Sequence, residues 1–148
     1  MSSDAVARLL VFRVGNERFA VELTAVAEVI EAPALQPVPD APPTLLGVTM
    51  LRGELVAIHD LRPLLRAGPG TVGGALLFAH DGRTIGLAID DVDDALLVEQ
   101  HELRRVPGGD GSDALLLGLV RRGSDLIAVL DADALLAAVR MDTEGQRV

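Results

Sequence analysis

An all-β fold with short helices is predicted by three features of this 148-residue chain. First, four apolar runs climb to a glycine beside charged residues, at Gly15, Gly53, Gly82 and Gly123. Each is followed by a second apolar run that ends at or near an acid: Phe19 to Glu22, Leu55 to Asp60, Ile85 to Asp90 and Leu126 to Asp131. Four such hairpins describe an all-β chain rather than a βαβ one. Second, apolar residues make up 49% of the sequence but aromatics only 2%, so the core must be built from Leu, Val, Ile and Ala, residues well suited to strands. Third, Arg52 to Asp60 and Arg122 to Asp131 match after one extra turn residue, which implies two related halves. One hairpin cannot bury its apolar face alone, so two small curled sheets or barrels sharing a core, with a groove between them, are expected.

Leu9 to Val14 and Arg18 to Val21 flank Gly15-Asn16-Glu17, residue types that tolerate positive φ and close a hairpin. From Leu23 the period changes. Leu23, Val26, Ala27 and Ile30 fall on one helical face, so a short amphipathic helix is predicted up to Pro33. Pro33 to Pro43 holds five of the eight prolines and reads as a stiff extended connector. The hairpin Gly47 to Leu61 follows, then a helical turn over Arg62 to Arg66. Ala67 to Gly74 is a Gly-rich surface loop, the segment expected to be most mobile.

Ala75 to Ala79 and Thr84 to Val92 pair through His80-Asp81-Gly82-Arg83, and a further strand is expected over Ala95 to Val98. A polar stretch, Glu99 to Pro107, and a loop, Gly108 to Asp113, lead to the last hairpin, Leu115 to Leu130. Ala132 to Arg140 has the Ala and Leu content of a closing helix. The folded unit is expected over residues 9–139, with flexible tails at 1–8 and 141–148.

A formal charge of −9 points away from nucleic acid and toward basic patches on partners. The absence of cysteine excludes a disulfide scaffold and thiolate chemistry. Asp4, Arg8 and Arg13 interrupt the first apolar stretch, so no signal peptide is read. No apolar run approaches the roughly 20 residues of a membrane span. A cytoplasmic protein without direct membrane insertion is expected.

Catalytic and cofactor signals are weak. His59, His80 and His101 lack metal-ligand spacing, and solvent contact at a strand end or turn accounts for His59 and His80. No nucleophile elbow occurs, and the Gly-rich loops lack the Lys of a phosphate-binding loop. Asp90-Asp91-Val92-Asp93-Asp94 is an acidic cluster, but alternate side chains of a strand point to opposite faces, so it reads as a solvated edge that discourages unwanted pairing. No catalytic residue, cofactor or metal site is assigned. Arg52, at a hairpin tip, either grips carboxylates or carbonyls on a partner or is a solvated residue balanced by Glu54. Glu28 is either the exposed face of a helix or the rim of a docking site.

Several segments, in order, resemble the CheW-like adaptors of bacterial chemosensory systems. They are Leu10 to Val21, Val26-Ala27-Glu28-Val29-Ile30, Gly47-Val48-Thr49-Met50-Leu51-Arg52-Gly53 with Asp60-Leu61-Arg62, Ile85 to Val92, Leu103 to Pro107 and Leu117-Gly118-Leu119. The resemblance implies two intertwined, five-stranded, SH3-like barrels and a non-enzymatic role. That role is to couple chemoreceptor cytoplasmic tips to the regulatory domain of a CheA-type histidine kinase, at membrane-associated or cytosolic receptor arrays. By matching positions it implies partner contact at Val26, Glu28, Gly47, Arg52, Ala75, Gly86, Val92 and Ala95. Two departures stand out: family members commonly have Asn where this chain has Met50, and Pro where it has Ala57. A divergent accessory scaffold of a motility or pilus pathway, binding only one partner, is the alternative. A small-ligand β-barrel is a third reading.

Overall fold

The computed structural model describes residues 6–105 and 112–145. Ten strands form two antiparallel-dominated sheets of five. The strands are β1 (Val6–Val14), β2 (Glu17–Glu22), β3 (Glu28–Glu31), β4 (Leu45–Leu51), β5 (Glu54–Asp60), β6 (Gly74–His80), β7 (Arg83–Ile89), β8 (Asp91–Glu99), β9 (Leu116–Arg122) and β10 (Asp125–Leu130). Two helices, α1 (Arg62–Leu65) and α2 (Ala132–Gly145), follow β5 and β10.

One sheet has the order β3-β6-β7-β5-β4 and uses a contiguous stretch of chain; it is the middle barrel. The other, β8-β1-β2-β10-β9, draws on both ends of the chain and is the end barrel. Both are SH3-like. Each encloses a small core of its own: Leu9, Val11, Ala20, Val98, Val120, Ile127 and Val129 in the end barrel, and Val56, Ile58, Ala75, Leu77 and Ala88 in the middle one.

Between the barrels lies the largest core, in which Leu10, Phe12, Val14 and Phe19 of one meet Leu76, Phe78, Leu87 and Ile89 of the other. Strands β1 and β6 therefore have no polar face over most of their length. Their even positions (Leu10, Phe12; Leu76, Phe78) fill the shared core and their odd positions (Leu9, Val11; Ala75, Leu77) fill their own barrels. This explains why they read as continuous apolar runs rather than as alternating ones. Each large side chain buried there contributes about 1.5–3 kcal/mol by transfer from water. Helix α2 adds Leu135, Leu136 and Val139 to the same core.

All four expected hairpins form, and their turns hold left-handed residues: Gly15 and Asn16 (φ 59° and 78°), Arg52 and Gly53 (49° and 78°), Asp81 and Gly82 (52° and 76°), and Gly123 (61°). In the first three turns positive φ at both central residues meets the type I′ requirement, which matches the twist of the flanking strands; the fourth has it at Gly123 alone. The internal repeat needs no extra turn residue. Gly47 and Gly118, Leu51 and Arg122, Glu54 and Asp125, Asp60 and Asp131 stand a constant 71 residues apart. Arg122 thus occupies the place of Leu51, and Gly123 that of Arg52.

Other expectations are corrected. The predicted helix over Leu23 to Ile30 is a single 3-10 turn, Leu23–Ala25, followed by β3. Of the four apolar residues with helical spacing only Ile30 lies in the strand, and tertiary pairing of Glu28–Glu31 with β6 overrides the local pattern. The strand expected over Thr84 to Val92 breaks at Asp90, where the chain crosses between barrels, and β8 starts at Asp91 rather than Ala95. Val6, Ala7 and Arg8, expected in a tail, pair with Glu99, Val98 and Leu97, and α2 continues to Gly145. The Gly-rich segment is packed rather than free: Gly70 and Gly73 abut Asp90, and Gly68 abuts Gly15. Of the loop expected over Gly108 to Asp113, positions 108–111 lie outside the described residues; Ser112–Leu115 is a 3-10 turn.

His59 is not solvated: it is 5% exposed, with Nδ1 3.1 Å from Thr44 Oγ1. Among the described residues no helix is long and apolar enough to cross a membrane.

Candidate functional site

The tight β4–β5 turn sets the site. Arg52 takes its first central position at φ 49°, a conformation that favours Asn, Asp or Gly. A long cation there is locally strained, and strain of this kind concentrates where function demands it. The guanidinium reaches across to β3 and binds the Glu28 carboxylate with both forks, Nη1 to Oε2 at 3.1 Å and Nη2 to Oε1 at 2.5 Å. Two residues singled out separately from the sequence are thus one bidentate pair, and Glu54 is not the main partner of Arg52.

The pair faces solvent, with side chains 68% and 37% exposed. The hydrogen bonds from Arg52 hold the Glu28 carboxyl below the usual glutamate range; desolvation opposes them and, less strongly, the charge of Arg52 adds to them. The same hydrogen bonds, then the charge of Glu28, raise the Arg52 pKa further. Planar fork and carboxylate therefore stay ionised and mutually oriented at neutral pH. Beside them is a depression of about 120 Å³, lined by Leu51, Glu54, Val56, Leu77 and Thr84.

On the outer face of the same hairpin Met50 and Leu55 are direct cross-strand partners, 65% and 62% exposed. Large apolar side chains that exposed, on the same hairpin as an oriented ion pair, are of the kind that protein partners use. Met50, a departure from the resembling family, therefore stands fully on the surface. Leu55 is hard to single out from the sequence because its strand neighbours Val56 and Ile58 are core, and only the pleat separates them.

The other assigned positions divide. Val26 is half-buried against the shared core. Val92, also half-buried, and exposed Ala95 lie on β8, an edge strand of the end barrel, away from the Arg52 turn. Gly47, Ala75 and Gly86 are buried in this fold. Gly47 is covered by the proline-rich connector, whose Gln36 pairs with Val48; a Cβ at Gly47 would lie 2.7 Å from Gln36 O. Ala75 is 0% exposed inside the middle barrel. Gly86 is buried, and a Cβ there would meet Ile58 Cδ1 at 2.3 Å. These small residues serve close packing.

A second charged cluster is not evident from the sequence. The register of β8 against β1 slips by one residue at Asp93, a β-bulge, and the bulged carboxylate is gripped by Arg13 Nε (3.2 Å) and Arg18 Nε (2.9 Å). Arg13 also meets Asp91 at 3.3 Å and Arg18 meets Asp125 at 2.6 Å. The acidic run thus faces guanidinium groups, and its edge-strand position agrees with the reading of a solvated edge. At the end-barrel tip Arg122 binds Glu102 and donates to Leu97 O at 2.8 Å. Its hydrogen bond lowers the pKa of Glu102.

With two barrels, a shared core and an oriented surface pair established, comparison with known proteins decides the family. A model of the CheW-like domain matches residues 8–140. The chain belongs to the CheW-like family. It is 30% identical over 131 residues to the chemotaxis protein CheW of Rhizobium meliloti (strain 1021), covering 85% of this chain and 84% of that one. It is 34% identical over 141 residues to protein FrzA of Myxococcus xanthus, covering 87% and 84%. The solved scaffolding protein TtCheW from Thermoanaerobacter tengcongensis superposes with a TM-score of 0.75 at 18% identity, over 86% of this chain and 90% of that one, a likeness of fold. CheW-like membership makes this a chemotaxis scaffold or adaptor, a class whose work is association.

Proposed function

We propose that this CheW-like chain is a non-enzymatic adaptor that joins the cytoplasmic tip of a chemoreceptor to the regulatory domain of a CheA-type histidine kinase. Catalysis belongs to the kinase. The observation that carries the reading is the exposed Glu28–Arg52 clasp on the strained turn of the hairpin that also exposes Met50 and Leu55. A partner surface that offers an apolar anchor to Met50 and Leu55, and hydrogen-bonding groups to the free edges of the clasp, is complementary to it. Val92 and Ala95, on a different barrel, supply the second contact, so one rigid body with a shared core links two partners.

The test is reconstitution of receptor, kinase and this chain. Kinase autophosphorylation is expected to rise only when all three are present, and Arg52→Glu is expected to abolish the rise while the variant remains folded. No stimulation by the wild-type chain overturns the proposal. Binding to just one of the two proteins in pull-down would instead make it a single-partner scaffold.

A further inference from the structure

The Gly-rich segment 67–73 connects α1 to β6 within the middle barrel, yet its tightest contacts are with the crossover into the end barrel. A Cβ at Gly73 would lie 2.1 Å from the carbonyl oxygen of Asp90, and one at Gly70 would lie 2.1 Å from its Oδ2 and 2.8 Å from its Cγ. Gly15, in the β1–β2 turn, packs so closely on Gly68 that a Cβ would fall 2.3 Å from the Gly68 oxygen. Gly73 N–H donates to Ile89 O (2.9 Å) and Asp90 N–H donates to Arg13 O (2.8 Å), so the Ile89–Asp90 step is held from both barrels at once. Its Oδ1 is buried with no hydrogen-bond partner among the described residues. The absence of a side chain at Gly70 leaves the room that this carboxyl group occupies.

Directly beyond Asp90 come Asp91, Val92 paired with Phe12, and the bulged Asp93. We propose that residues 67–73 are a strap by which the middle barrel fixes the path of the first residues of β8, 91–95, and so sets the edge strand that carries Val92 and Ala95. This relation is a property of the chain alone and does not depend on the identity of its partners.

The glycines provide their own control. None of Gly68, Gly70 and Gly73 has left-handed backbone, so a methyl group at each reports space alone; a methyl group at Gly68 would have nothing within 4 Å, whereas one at Gly73 meets backbone and one at Gly70 a side chain. The experiment is hydrogen–deuterium exchange of the full chain read by mass spectrometry. Gly73→Ala is expected to speed exchange of amides 91–95 by roughly tenfold or more while β4 and β5 keep wild-type rates. Gly70→Ala should give a smaller change in the same direction, and Gly68→Ala none. Equal rates at 91–95 in the Gly73→Ala and Gly68→Ala chains would overturn the proposal, as would acceleration spread evenly over both barrels. Should Gly73→Ala fail to fold, the Gly70→Ala and Gly68→Ala pair decides on the same criteria.

Discussion

Replacing Gly86 by alanine tests whether this glycine belongs to the interior. The added methyl carbon would sit 2.3 Å from Ile58 Cδ1, 3.2 Å from Leu77 Cδ2 and 3.3 Å from Ala57 O. Ile58 and Leu77 are 0% and 1% exposed, so neither side chain has room to withdraw without disturbing the barrel core. Overpacking of this kind costs about 1–3 kcal/mol. For a chain of this size, that lowers the melting temperature by about 3–9 °C, at about 3 °C per kcal/mol. The chain has no Trp or Tyr, so circular dichroism is the suitable probe, with urea titration for the free energy. Ile58→Val removes the clashing Cδ1 and alone costs about 0.5–1.5 kcal/mol. The double variant should therefore be less destabilised than the sum of the singles by about 1 kcal/mol. Wild-type melting of Gly86→Ala, or strict additivity with Ile58→Val, would refute the packing argument.

Phe78→Ala empties part of the core shared by the barrels and is expected to cost about 3–5 kcal/mol; because both sheets line that core, the melt should stay a single transition, and two separate steps would contradict it. Arg52→Gln removes the fork that depresses the Glu28 pKa, so the Glu28 side-chain carbon, followed by NMR, should titrate at higher pH in the variant than in wild type. The sign for stability follows: a depressed carboxylate stabilises above its unfolded pKa and loses that contribution as pH falls through the lowered folded value, so the clasp persists at neutral pH and opens only in acid. Arg122→Gln should raise the Glu102 pKa in the same way and quicken amide exchange around Leu97 and Glu102, the groups its guanidinium holds together.

The hairpins are legible in the sequence because their turns require residues that accept positive φ, and Gly15-Asn16 and Asp81-Gly82 announce this chemically. The apolar runs of β1 and β6 are equally readable as buried strands, though only the packed structure shows that opposite faces of one strand enter different cores. The segment after Leu23 is not legible, since its apolar spacing is helical and only the long-range pairing of Glu28–Glu31 with β6 makes it a strand. In the site, Glu28 and Arg52 each stand out by type and position, but their contact spans β3 to the β4–β5 turn and depends on barrel closure. Gly47, Ala75 and Gly86 show the converse: a small residue suits either close partner contact or close internal packing, and composition cannot tell outward from inward.

The connectivity has a temporal consequence. Every strand of the middle barrel emerges from the ribosome before β8 does, so that barrel can close on its own during synthesis, while β1 and β2 wait for partners from beyond residue 90. The end barrel is completed last, around a neighbour already in place, and the long chain closure needed to join β1 to β8 and β2 to β10 is shortened by the very body threaded between them.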